Sequence, residues 1–127
     1  MFNTVYVLES DPAECRWIES ALAGQVRMLV FLENGATLPD WLAARGGDCL
    51  LCGVEPDATA ALELVRSLRL HGEMLPVVML GPHSAFRTAV DVARLSATDF
   101  LERPVSAQRL RAALHKVTAL VEESAKR

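Results

Sequence analysis

Cys49 and Cys52 stand three residues apart in the stretch CLLCGVEP, a spacing used elsewhere for redox or metal chemistry. Here the run from Cys49 to Val54 reads as a buried strand, and residues three apart on a strand point to opposite faces. The two thiols are therefore badly placed to share a metal or form a disulfide. Cys15 makes their number odd, and reduced core thiols are the expected state. His83 follows Gly81-Pro82 with no Ser or Cys in register to form a nucleophile–base pair, so no catalytic role is assigned to it. His71 and His115 read as surface residues, and Trp17 and Trp41 as helix packing. What remains is a set of residues just past short apolar runs: Glu9, Ser10 and Asp11; Gly53 to Glu55; Gly81 to His83; and Arg103.

The elements that must position them follow from a repeated switch of apolar period. TVYVL (4–8) is β-rich, and Asp11-Pro12 then starts a helix, an N-cap residue followed by proline at the first helical position. Cys15, Ile18 and Leu22 give that helix an apolar stripe, and Gly24 closes it. VRMLVF (26–31) predicts a second strand. A short helix runs from Pro39 to Gly46-Gly47. CLLCGV is the third strand, and residues 58–70 carry Ala61, Leu62, Val65 and Leu68 at helical spacing up to Gly72. LPVVML (75–80) is the fourth strand. Ser84 caps a predicted fourth helix with Phe86, Val90 and Ala93. TDFLE (98–102) is the fifth strand. Ser106 caps a last helix whose face holds Leu110, Ala113, Leu114, Val117 and Val121.

Five strand–helix units in alternation predict an α/β fold, a doubly wound parallel sheet with helices on both faces. Strands three and four are apolar almost throughout, as central strands covered on both sides should be. Sites in such sheets form outside the carboxyl ends of the strands, which is where the residues above fall.

The 127 residues are one domain's worth, with residues 1–122 as the domain and 123–127 as a polar tail, and 51% apolar residues supply a core. A net charge of −3 with acids and bases interspersed argues against a nucleic-acid surface. The start MFNTVYVLES lacks a basic leader region and meets Glu9, so no secretory leader is expected. No apolar run approaches the ~18 residues of a membrane span. A cytoplasmic protein is expected, with no direct contact with nucleic acid or membrane.

The stretches VYVLESDPAE, DCLLCGVEP, LPVVMLGPHSAFRTAV and ATDFLERPV resemble the response-regulator receiver (CheY-like) family over residues 4–120. The last two resemble receivers that usually carry a helix-turn-helix output domain. The resemblance implies a flavodoxin-like (βα)5 sheet of order 2-1-3-4-5. It also implies a phosphoacceptor aspartate ending strand three, metal-holding acids after strand one, a hydroxyl ending strand four, and a lysine before a proline after strand five. Phosphoryl transfer needs such a set, because three anionic oxygens must be neutralised around one nucleophilic carboxylate.

Matched residue by residue, the phosphoacceptor position falls on Gly53 and the hydroxyl position on Gly81. The acidic positions fall on Glu9, on neutral Ser10 and on Asp11, which serves better as a helix N-cap. The lysine position falls on Arg103, followed by Pro104, and the switch aromatic falls on Phe100. Sliding Asp48 or Asp57 into the acceptor position would break the strand register, and Glu55 lies in the loop. One glutamate is a poor ligand set for magnesium, so no metal or other cofactor is expected. Glu9 and Arg103, both longer than their family counterparts, are expected to meet across the space left at Gly53 in a charge-assisted hydrogen bond.

The resulting expectation is a pseudo-receiver rather than an enzyme: a phosphorylation-independent module of bacterial two-component phosphorelay signalling that acts by protein–protein contact. The family's contact surface, the fourth helix, fifth strand and fifth helix, here carries Phe86, Arg87, Val90, Arg94, Phe100, Arg109, Arg111 and Lys116. A protein partner or a second copy of the chain is expected there. Two alternatives stay open: a phosphorylated receiver with an unusual phosphosite, and a small-molecule binder on a flavodoxin-like sheet.

Overall fold

The computed structural model describes residues 1–54, 59–82, 95 and 97–125, with side chains as far as residue 120. The chain begins with β1 (Phe2–Leu8), α1 (Pro12–Ala21) and β2 (Val26–Phe31). A 3-10 turn (Gly35–Thr37), α2 (Leu38–Arg45), β3 (Cys49–Gly53) and α3 (Thr59–Leu70) follow. It ends with β4 (Val77–Gly81), β5 (Thr98–Glu102) and a C-terminal helix (Ala107–Ala125). The five strands form one sheet of order β2-β1-β3-β4-β5, with every neighbouring pair parallel.

The sheet carries a core on each face. On one face Tyr6, Leu50, Cys52, Val77 and Met79 pack against Leu38 at the start of α2 and Ala61, Leu62, Val65 and Leu68 of α3. On the other, Val5, Val7, Cys49, Leu51, Val78 and Leu80 pack against Ile18 and Ala21 of α1 and Leu110, Ala113, Leu114 and Val117 of the C-terminal helix. Cys49 and Cys52 thus point to opposite faces, as strand alternation requires. Residues Cys49–Cys52 of β3 and all of β4 are buried, as interior strands should be.

Local signals account for most element ends. The Asp11 carboxylate accepts from the Ala13 amide at 2.9 Å, with Pro12 behind the cap. Ser106 Oγ accepts from the Arg109 amide at 3.1 Å at the start of the last helix. Gly24 and Gly72 take φ of +78° and +81°, the left-handed conformation that glycine adopts without steric cost.

Four details depart from the sequence expectation. Strand one begins at Phe2, because Phe2 pairs with Val26. Strand four begins at Val77 rather than 75, since Pro76 has no amide to donate to a ladder. The 3-10 turn, capped by Asn34, precedes α2 without an apolar period to announce it. The last helix continues to Ala125, into the supposed tail, because no glycine or proline interrupts it. The predicted fourth helix falls on residues outside those described.

Candidate functional site

Register brings the carboxyl ends of four strands into one row. Leu8 pairs with Cys52, Gly53 with Leu80, and Gly81 with Glu102. Glu9, Gly53, Gly81 and Arg103 are thereby neighbours, although 94 residues separate the first from the last.

Glu9 leaves β1 and turns its side chain over β3. A Cβ built on Gly53 would lie 2.6 Å from Glu9 Cδ and 2.9 Å from Oε2, with Oε1 nearer still. A side chain at position 53 could stand there only if the Glu9 carboxylate moved aside. The glutamate carboxylate therefore fills the volume that a side chain at position 53 would need. Arg103 Nη2 donates to Glu9 Oε1 at 2.6 Å, and the two side chains are 16% and 5% exposed. The Asp11 amide donates to Glu9 Oε2 at 3.2 Å, so both carboxylate oxygens are engaged. Arg103 Nε lies 3.4 Å from Glu14 Oε2 on α1, which brings a second carboxylate to the same guanidinium. The expected Glu9–Arg103 contact is direct.

Gly81 is closed in the same manner. A Cβ there would stand 3.0 Å from Phe100 Cζ and closer still to Val54 Cγ2. The Phe100 ring packs into the core on the α2–α3 side of the sheet. The Arg103 amide donates to the Gly81 carbonyl at 2.8 Å, and the Arg103–Pro104 peptide bond is cis.

The remaining candidates fall as follows. Ser10 and Asp11 are exposed, and Asp11 is occupied as an N-cap. Asp48 accepts from the Asn3 and Thr4 amides at the amino end of the sheet, the wrong end for an acceptor; Asp57 and Glu55 lie outside the described residues. His83, Phe86, Arg87, Val90 and Arg94 do too. Lys116 Nζ lies 3.8 Å from Asp99 Oδ2 of β5, and Arg109, seven residues earlier, shares that flank of the helix. Arg111 does not belong with them. Its Nε donates to the Ala21 carbonyl at the end of α1, at 2.9 Å, because it lies about 200° around the helix from Arg109.

Burial and Glu9 also govern the nearby thiols. Enclosure, and then the Glu9 charge, push the Cys52 thiol up to about 12. Enclosure chiefly raises Cys49 as well. Cys15 is raised by burial and next by Glu9, whose carbonyl accepts from its Sγ at 3.4 Å. Beside the ion pair opens a cleft of about 390 Å³ walled by Trp17, Leu80, Pro82, Pro104 and Val105, with Glu14 and Arg103 on its charged side. The sequence does not announce this cleft, since its walls come from three separate segments, α1, the end of β4 and the turn after β5.

A magnesium ion wants several free oxygen ligands in octahedral order. Among the described residues, this end of the sheet offers one buried carboxylate already bonded to a guanidinium and an amide, beside a glycine and an exposed serine. Those described donors do not fit that ion. Among the described residues, no three His, Cys, Asp or Glu side chains are grouped to hold a metal.

The fold defines a flavodoxin-like α/β domain with its candidate site at the carboxyl ends of the strands. The family model for the response regulator receiver domain matches residues 5–115, and the chain belongs to that family. It is 33% identical over 101 residues to the DNA-binding transcriptional regulator NtrC of Escherichia coli, covering 79% of this chain and 21% of that protein. It is 26% identical over 118 residues to the transcriptional regulatory protein ZraR of the same species, covering 91% and 26%. The chain thus spans about a fifth to a quarter of these relatives. Among solved structures, a signal receiver domain from Bacteroides fragilis superposes with a TM-score of 0.80 at 17% identity, covering 93% of this chain and 98% of that one. Full-length FixJ from B. japonicum gives 0.82 at 22%, covering 97% and 61%. These likenesses concern the fold alone. Among the described residues, no helix is long and apolar enough to cross a membrane.

Proposed function

We propose that this receiver works without a phosphoryl group, as a cytoplasmic protein-interaction module of bacterial two-component signalling, and that it is not an enzyme. One observation carries the reading: the Glu9 carboxylate lies where a side chain on residue 53 would stand, and it is bonded to Arg103 at 2.6 Å. Glycine offers no oxygen to form an acyl phosphate. The donor set that does not suit magnesium supports the same conclusion, and so does Asp48, the described alternative acceptor, tied to backbone amides at the far end of the sheet.

The contact surface in this reading is the edge of β5 with the adjoining flank of the C-terminal helix, where Arg109 and Lys116 are exposed. β5 is an edge strand, and Asp99 beside Lys116 adds a charge of opposite sign, so the patch suits a two-fold contact with a second copy or an acidic partner patch.

Incubation with acetyl phosphate and magnesium, followed by intact-mass measurement, tests the reading. The mass is expected to stay unchanged; a gain of one phosphoryl group would give the site back its ordinary chemistry. Sedimentation of the R109E/K116E protein tests the surface, with weaker self-association or partner binding expected.

A further inference from the structure

We propose that Glu9 is a built-in substitute for an external anion, and that it holds Arg103, Gly81 and Phe100 as one unit in a single arrangement. The inference rests on the reading above and adds how the site is regulated: an added anion does not switch it, because the anion is part of the chain.

The unit is continuous. Glu9 spans from the end of β1, over Gly53 at the end of β3, to the guanidinium of Arg103 beyond β5. The Arg103 amide holds the Gly81 carbonyl at the end of β4. The Phe100 ring, three residues before Arg103, and Val54 occupy the space that a side chain on Gly81 would need. Four strand ends are thus linked through one carboxylate. Arg103 is tied to Gly81 through that backbone bond, and Phe100 lies beside Gly81 where a side chain would otherwise stand.

Two physical points make the arrangement permanent. A tethered carboxylate loses no translational freedom on binding, whereas a free anion must. A free anion must also displace Glu9 from Arg103 while facing Glu14, 3.4 Å from the same guanidinium. The missing side chain at 53 and the long acid at 9 are consequently one coupled change: each makes the other possible. Output from such a module follows from how much of it is present and how well its partner binds.

The test is amide and aromatic NMR on the whole chain as wild type, E9Q and R111Q, each also titrated with inorganic phosphate and magnesium. Glu9→Gln keeps the volume and removes the charge. Arg111→Gln removes a hydrogen bond to α1, distant from the unit. In wild type, one set of signals unaffected by phosphate is expected. In E9Q, the Arg103 and Gly81 amides and the Phe100 ring should shift or broaden together, while in R111Q they should not. An E9Q spectrum in which Arg103 alone changes overturns the inference, as does a wild-type Phe100 that follows phosphate. Covalent phosphorylation of the wild type overturns the functional reading instead, whatever E9Q shows.

Discussion

Replacing Gly53 with alanine adds one methyl group where the Glu9 carboxylate already stands. Gly53 is not among the glycines with positive φ, so the backbone accepts alanine. The methyl carbon would nevertheless lie within 2.6 Å of Glu9 Cδ. Glu9 has a flexible side chain and must swing away, losing its bond to Arg103. A hydrogen bond between charged groups contributes roughly 1.5–3 kcal/mol, and these side chains are too buried for solvent to screen much of it. Alanine for glycine returns roughly 0.4–1 kcal/mol through the unfolded chain. The net loss is roughly 1–2 kcal/mol, which lowers Tm by a few degrees for a domain of this size. Urea unfolding followed by the fluorescence of Trp17 and Trp41 reads it. The decisive measurement is the double-mutant cycle with Glu9→Ala. With the carboxylate gone, Gly53→Ala should become neutral or slightly stabilising. If the two changes add to within roughly 0.5 kcal/mol, the two positions are independent and the argument from shared volume is wrong.

Two further outcomes follow from the packing. Gly81→Ser should not restore a usable hydroxyl. Its Cβ would press on Val54 and Phe100, and overpacking of this kind costs about 1–3 kcal/mol; a Gly81→Ser protein as stable as wild type in urea would show that the pocket is looser than described. The native protein at pH 8 should expose no more than Cys15 to a thiol reagent, while the unfolded chain reacts at all three cysteines, and a second fast thiol in the native state would contradict the burial of Cys49 and Cys52. Both buried thiols stay protonated when folded, so above about pH 9 the unfolded state binds fewer protons and stability falls as pH rises, up to about pH 12 for Cys52.

Much of the architecture is legible in the sequence. The switch between strand and helix periods placed all five strands to within a few residues. The Asp11-Pro12 and Ser106 caps were local signals, and local signals survive folding when nothing competes with them. Placing Glu9, Gly53, Gly81 and Arg103 at strand ends required only that the sheet be parallel, since sites then collect at one end. The misreadings have equally physical causes. Arg111 was grouped with Arg109 and Lys116 by charge, when the helical phase already separates them. The start of β4 was set by the apolar run, when Pro76 has no amide for a ladder.

What the sequence determined by itself was therefore which residues occupy which strand end, and that Gly53 carries no nucleophile. Tertiary structure alone decided what fills the space. Glu9 over Gly53, and Val54 with Phe100 over Gly81, depend on side-chain directions across strands far apart in the chain. Periodicity fixes the face on which a side chain lies; it carries no information on how far a long one reaches, because that is set by the packing of its neighbours.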